Sequence, residues 1–510
     1  MESVNVKEDN KRIAKNTLML YFRMFITMAV GLYTSRVILA TLGVEDYGIY
    51  NVVGGFVSMF SVISGTMTTA TQRFLSFEIG KDKDGRICEL FTTSVMIHIF
   101  LALIVFVAAE TFGLWFLNNK MTFPEHRLMA ANWVYQLSIL TFMISVISVP
   151  YNAALIAYEK MSAFAYVSII EVVLKLLLVL LLKYILFDKL IVFAIILTGI
   201  SIILRIIYGY YVNKHFTECR CNWRLDKTFF HTLLGFISWN FIGSIAGIFK
   251  EQGLNIVLNL FFGATVNAAR GIAYQVLRAV SGFVANFQMA MNPQIVKHYA
   301  ANQKEEMFKL VFQGSKFSYL LMMILSIPIY IEAPYILNLW LVEVPEYTVI
   351  FLRLVLLITL VDSLSYTLIA SVHASGKVKW YQIINGSVLL LTLPLVYAFL
   401  YLGAKPYMAM VISLFMSVVC LFVRLAIIRR IIAFPMGNYI KRVVCMVLIC
   451  SLFSFIPSFG LSIVLPNNFL SFMLVVVISI ITSAIISFYI ALTKSERCLI
   501  RNIVVKKIKF

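Results

Sequence analysis

Charge is scarce in this sequence. Of its 510 residues only 13% are charged while 61% are hydrophobic, and mean hydropathy is +0.90, far from the roughly 45–50% apolar share of soluble domains. That excludes a soluble enzyme and describes an integral membrane protein. Polar linkers are missing too: polar stretches only interrupt apolar segments briefly, so the chain reads as one polytopic body. No GxxxxGK(S/T) phosphate loop and no GxSxG elbow occurs, which removes ATP hydrolysis by this chain. The seven cysteines, Cys88, Cys219, Cys221, Cys420, Cys445, Cys450 and Cys498, are odd in number and lie in spans or on the cytoplasmic side, which argues against a disulfide framework. Cys219 and Cys221 form a lone CxC beside His215, short of the four ligands a zinc site takes. Reduced thiols in a loop are expected there, with no metal and no cofactor.

A spanning helix needs about 20 mostly apolar residues. Fourteen segments qualify, at about 17–42, 47–77, 88–118, 127–157, 163–187, 190–213, 230–262, 268–296, 311–340, 347–375, 381–402, 406–430, 443–465 and 469–493. The fold class is therefore an all-α membrane protein of about 14 transmembrane helices. The polar start "MESVNVKEDNKRIAKN" is followed by an apolar run without a small-residue cleavage site, so no cleaved signal peptide is expected.

Lys and Arg concentrate in cytoplasmic loops. With a cytoplasmic N-terminus the inside segments hold 27 basic residues, whereas the outside loops hold only Lys120, Arg127, Lys189 and Lys405. Both termini then face the cytoplasm. The same bias accounts for most of the net charge of +19, with anionic membrane lipids as partners of those loops and no nucleic acid.

An internal repeat organises the chain. At an offset near 220, "LGVEDYGIY" (42–50) lies over "FGATVNAARGIAY" (262–274), and "TQRFLSFEIGKDK" (71–83) over "NPQIVKHYAANQK" (292–304). "AYEKMSAFAYVSII" (157–170) lies over "ASGKVKWYQIINGS" (374–387). Each unit has six helices, an even number, so the two lobes enter from the same side and run parallel around a central cavity. The expected organisation is an N-lobe at 1–213, a cytoplasmic inter-lobe loop at 214–229, a C-lobe at 230–430, and two C-terminal helices with a basic tail at 431–510.

Charges inside spans should face an interior, because lipid-facing charge costs several kcal/mol. The expected spans hold twelve bases, Arg23, Arg36, Arg73, Lys175, Lys183, Arg205, Lys250, Arg270, Arg278, Lys316, Arg353 and Arg424. Five acids stand against them: Glu110, Glu171, Glu251, Glu332 and Asp362. The surplus favours anions. Arg36, Arg73, Arg205, Lys316 and Arg424 lie close enough to helix ends to snorkel to headgroups. Arg278 sits ten residues into its helix, about 15 Å deep, which is too deep for that. Glu171 and Lys175, at i and i+4, share a helix face, and Asp362 lies near mid-depth. Lys250 and Glu251 point about 100° apart, so one lines the transport path and the other pairs with a neighbouring helix; Gly253 is expected to mark a bend.

The stretches "FGATVNAARGIAYQV", "NFQMAMNPQIVKHYA", "LGVEDYGIYNVV" and "ATQRFLSFEIG" resemble the Wzx-type polysaccharide biosynthesis proteins of the multidrug, oligosaccharidyl-lipid and polysaccharide exporter (MOP) superfamily. The likeness spans essentially the whole chain. It implies a flippase of the bacterial cytoplasmic (inner) membrane that moves undecaprenyl-pyrophosphate-linked oligosaccharide from the cytoplasmic to the periplasmic leaflet by alternating access. The products would be lipopolysaccharide O-antigen, capsule or exopolysaccharide. It further implies substrate-binding arginines on the first, second and eighth helices, where Arg23, Arg73, Arg270 and Arg278 occur; with Lys250 these are the candidate cavity residues. Coupling to a proton or sodium gradient would fall to Glu251, Asp362 or the Glu171–Lys175 pair. A groove for the polyprenyl tail would lie at 443–493. No covalent chemistry is required.

Two other classes compete. A cation-coupled multidrug exporter of the same superfamily should favour acidic cavity residues, and the surplus of bases runs against it. A membrane glycosyltransferase or polymerase would need a sizeable periplasmic loop, and the outside loops are about ten residues or shorter.

Overall fold

In hydrocarbon every backbone N–H and C=O must be bonded internally, so apolar runs of this length fold as helices. A computed structural model describes residues 2–58, 61–81, 86–120, 125–219, 226–341, 344–466, 468–493 and 496–497, which form helices joined by short turns and contain no strand. Cys221, Cys498, the side chain of Arg36 and the basic tail from 498 lie outside the described residues. Among the described residues eleven helices are long and apolar enough to cross a membrane, from Ile87–Asn119 to Phe469–Ala491. They coincide with eleven of the fourteen expected segments. The other three, 17–42, 47–77 and 268–296, fall within the helices Glu2–Ser58, Ser61–Gly80 and Lys227–Ala300.

The turns expected near 43–46 and 263–267 do not interrupt the helical backbone, which runs through 57 residues in Glu2–Ser58 and 74 in Lys227–Ala300. Side-chain contacts nevertheless locate a reversal in the second. Arg270 Nη1 donates to Asn255 Oδ1, although fifteen residues on a straight helix would separate them by ~22 Å. The helical chain therefore doubles back between them, which brings Leu254, Leu258, Ala269 and Ala273 into one core.

The chain divides into two compact units, Ile13–Phe241, and Met1–Arg12 with Ile242–Phe510; the division falls inside the helix Lys227–Ala300. The core of the first unit packs Val37, Val53, Tyr135, Val179 and Phe193. Three of its segments are tied by Arg127, whose Nε and Nη2 donate to Asp46 at 2.8 and 2.5 Å and whose Nη1 donates to Asp188 at 2.6 Å. Asp188 in turn caps the helix Lys189–His215 by accepting from Leu190 and Ile191 N–H. Burial pushes the Asp188 carboxyl up, but Arg127 and those two amides outweigh it and hold the carboxyl below its ordinary range.

In the second unit the first arm of the Lys227–Ala300 hairpin lies against the span Lys379–Tyr401. The helical backbone runs unbroken through Gly253, and a Cβ there would meet Leu393 Cδ1 at 2.7 Å, so glycine serves close approach. The helices Met436–Val464 and Phe469–Ala491 dock on Lys304–Ile331 through Tyr319 and Ser451, 2.9 Å apart, and through Tyr330 against Phe455. Lys316 belongs to this docking. Instead of snorkelling, it is buried and donates to Glu496 Oε2 at 2.7 Å.

Candidate functional site

Within the second unit the span Thr348–Ser375 is broken into the helices Thr348–Ser363 and Tyr366–Ser375. Leu364 N–H and Ser365 N–H bond only three residues back, to Val361 and Asp362, and the Leu364 carbonyl released by the break accepts from Ser315 Oγ at 3.0 Å and Tyr439 OH at 2.9 Å. Irregular backbone at membrane depth is tolerated where protein satisfies it, and such breaks recur at transporter binding sites. Asp362 lies one residue before the end of the first half, at Ser363, and Tyr366 opens the second.

Around this break the structure gathers four of the candidates named from sequence. Asp362 lies within electrostatic reach of Lys250 and Arg424. Tyr274 is within reach of Arg270, Glu251 and Asp362. Arg270 stacks on the Tyr274 ring at 4.3 Å and is only 3% exposed, yet its Nε and Nη2 have no hydrogen-bond acceptor among the described residues. Glu251 is exposed and Lys250 half-buried. Arg424 was expected to snorkel and does not: it is buried at 7% exposure, with Nε donating to Tyr381 OH at 2.8 Å and Nη2 to Asn385 Oδ1 at 3.5 Å. Three bases thus accompany two acids. Arg278 stands apart on the same hairpin, exposed.

The first unit assembles a second group. Arg23 lies over the Phe164 ring at 4.8 Å and within electrostatic reach of Tyr208 and Glu171; Glu171 is in turn within reach of Lys175. Arg73 is separate from them. It too was expected to reach headgroups and is instead 7% exposed, set against the rings of Phe74 at 4.2 Å, Phe77 at 4.8 Å and Phe236 at 5.6 Å. Arg205 packs over Tyr151 at 3.8 Å. Among the described residues no group of three or more His, Cys, Asp or Glu side chains could hold a metal ion.

Sequence reasoning passed over Tyr274, Asn255, Tyr381 and Asn385. These are uncharged residues in apolar runs, and only three-dimensional contact with Arg270 and Arg424 distinguishes them. What the arrangement can do is bind charge. Cations held by neutral ring and amide partners retain attraction for an anion, and guanidinium suits phosphate geometry.

The family model for polysaccharide biosynthesis proteins matches residues 13–299. The chain belongs to the polysaccharide biosynthesis protein family. A second family model, MatE, matches residues 233–398 of this family member. No curated protein sequence matches it. Solved structures share its fold. An outward-facing multidrug resistance MATE family transporter of the MOP superfamily is 12% identical with TM-score 0.74, covering 85% of this chain and 99% of its own. A Vibrio cholerae MATE transporter is 16% identical with TM-score 0.70, over 84% and 98%. A Pyrococcus furiosus MOP-superfamily transporter, in which reversed polarity of the binding pocket suggests a different function, is 12% identical with TM-score 0.68, over 84% and 96%. This polysaccharide biosynthesis protein therefore has the all-helical fold of the MOP-superfamily transporters.

Proposed function

We propose that this protein is a Wzx-type flippase that carries undecaprenyl-pyrophosphate-linked oligosaccharide from the cytoplasmic to the periplasmic leaflet of a bacterial inner membrane, by alternating access of an N-lobe (1–213) and a C-lobe (230–430). The observation that carries the reading is Arg270, buried at 3% exposure with two guanidinium donors unmatched among the described residues. A buried cation is costly unless compensated, and a pyrophosphate oxygen is a strong acceptor for such donors. Family membership and the surplus of bases support it. In this reading Arg270, Lys250 and Arg278 with Arg23 and Arg73 attract the anionic headgroup, while Glu251, Asp362 or Glu171 carries a coupling proton or sodium ion. Ligand can shift inward and outward populations only through differential affinity, so the arginines contact phosphate differently in the two states.

A second reading, a cation-coupled multidrug exporter, draws on the MatE match and the MATE fold. Three bases around Glu251 and Asp362 oppose it, because they repel a cationic drug.

Translocation of a labelled undecaprenyl-pyrophosphate oligosaccharide in proteoliposomes tests the proposal. Native protein is expected to flip it, Arg270→Ala to lose at least tenfold in rate, and Arg270→Lys to recover part of it. Native protein that flips no such lipid but exports a cationic dye down an ion gradient overturns the reading in favour of the exporter.

A further inference from the structure

The turn joining the spans Met408–Ile432 and Met436–Val464 carries an open surface pocket of about 550 Å³, lined by Arg429, Ile440 and the residues from Phe434 to Asn438. Arg429 and the residues that flank the turn in sequence, Arg430, Lys441 and Arg442, are all exposed, and none forms an ion pair or side-chain hydrogen bond among the described residues. No acidic residue occurs between Asp362 and Glu496, so no carboxylate of this segment neutralises them. Lys441 and Arg442 sit in a π-helical turn, Ile440–Val444, a departure from regular helix that is frequent at functional sites.

The floor of the pocket is fixed. Ala433 adopts a left-handed conformation, φ 56°, which a non-glycine residue holds only when its surroundings impose it. The surroundings are an aromatic cluster in which buried Phe434 packs against Phe308, Phe312 and Tyr439, with centroids 5.3, 5.5 and 5.6 Å away. Tyr439 is itself pinned by its bond to Leu364 O.

We propose that this turn is a binding site for the phosphate headgroup of an anionic phospholipid, with the acyl chains lying along the apolar faces of the two flanking spans. Four cations at one short turn, without an ion-pair partner among the described residues, and an open pocket lined by one of them, Arg429, match an anion. The position, between two span ends only four residues apart in sequence, is the depth at which lipid headgroups lie. Lys441 and Arg442, a turn or more into their helix, reach back toward it by snorkelling. The site is distinct from the Arg270–Asp362 group and does not rest on the flippase reading.

The test uses the purified full-length protein in detergent, titrated with phosphatidylglycerol or phosphatidylcholine and read by native mass spectrometry, with inorganic phosphate and undecaprenyl pyrophosphate as further probes. The native protein is expected to retain phosphatidylglycerol at least tenfold better than phosphatidylcholine. The variant Arg429→Ala/Arg430→Ala/Lys441→Ala/Arg442→Ala should lose most of that preference, while Lys377→Ala/Lys379→Ala, which removes two cations from another loop, should not. The single change Arg429→Gln, expected to lose at least threefold, decides the matter if the fourfold variant does not fold. Retention unchanged in the Arg429 variants, or an equal loss in the Lys377/Lys379 variant, overturns the site. Equal competition by inorganic phosphate shows a free-anion site instead, and retention confined to undecaprenyl pyrophosphate assigns the turn to the transported lipid; either result also overturns it.

Discussion

Lys316 and Glu496 offer the sharpest test of how the last two helices are held. Their side chains are 7% and 6% exposed, with Nζ and Oε2 2.7 Å apart. Removing one partner leaves the other charge buried and uncompensated, at a cost of about 3–5 kcal/mol. Lys316→Met and Glu496→Leu should each therefore destabilise by that amount. The double variant places two apolar side chains of similar volume face to face, and such replacements of buried pairs are near neutral. One loss remains, because Glu496 Oε2 also accepts Thr493 N–H at 2.7 Å, worth about 1 kcal/mol. The double variant should thus fall only about 1 kcal/mol below native, and the coupling energy should reach several kcal/mol. Reversible unfolding in detergent, followed by intrinsic fluorescence at fixed pH, measures all four corners of the cycle. Additive losses in the double variant would refute the argument.

Gly253→Val drives a side chain into Leu393 and should destabilise by about 1–3 kcal/mol; adding Leu393→Ala should recover part of the loss, and the same unfolding assay reads both. Arg127→Gln releases Asp46 and Asp188 and should cost about 2 kcal/mol, the value of charged hydrogen bonds lost from a half-buried site. The Asp188 carboxyl is held below its ordinary range in the folded protein, so its contribution is present above about pH 4 and is lost as pH falls through the lower folded value. The melting temperature of native protein should drop steeply below about pH 4, and Arg127→Gln should flatten that drop; an identical pH profile in the variant would sink the assignment. Arg424→Lys keeps the charge but gives up the planar fork shared between Tyr381 and Asn385, and should slow translocation more than it lowers protein abundance.

Hydrophobic length was the legible part of the fold. Eleven of the fourteen expected segments reappear as spans with ends shifted by a few residues, because the requirement that lipid imposes on backbone hydrogen bonding is written in composition. The turn near 263–267 was legible in position but not in form: its reversal is made by helical backbone, shown by the Arg270–Asn255 contact. The break at Leu364 was not legible. Neither proline nor glycine marks it, and the groups that stabilise the freed carbonyl, Ser315 and Tyr439, lie 49 and 75 residues away in the chain. Charge alone pointed to Lys250, Glu251, Arg270 and Asp362, and the structure gathers them around that break.

Depth within a helix proved a weaker guide than charge. Arg424, Arg73 and Lys316 all lie near enough to a helix end to reach headgroups, and all three are buried. Snorkelling describes what a long side chain can do when nothing nearer competes. Here something nearer does compete: a tyrosine hydroxyl for Arg424, three phenylalanine rings for Arg73, a carboxylate from the C-terminal end for Lys316. The three differ in what remains for a ligand. Lys316 is neutralised, and its role is to fasten helices. The hydrogen bonds of Arg424 go to neutral groups, Tyr381 OH and Asn385 Oδ1, with Asp362 within electrostatic reach, so its charge is ordered without being consumed in a salt bridge and an anion near it is still attracted. Sorting buried cations by whether the partner carries opposite charge separates cations that fasten helices from cations that can still attract an anion, and by that criterion Arg424 joins Arg270 as a position at which loss of charge should impair translocation.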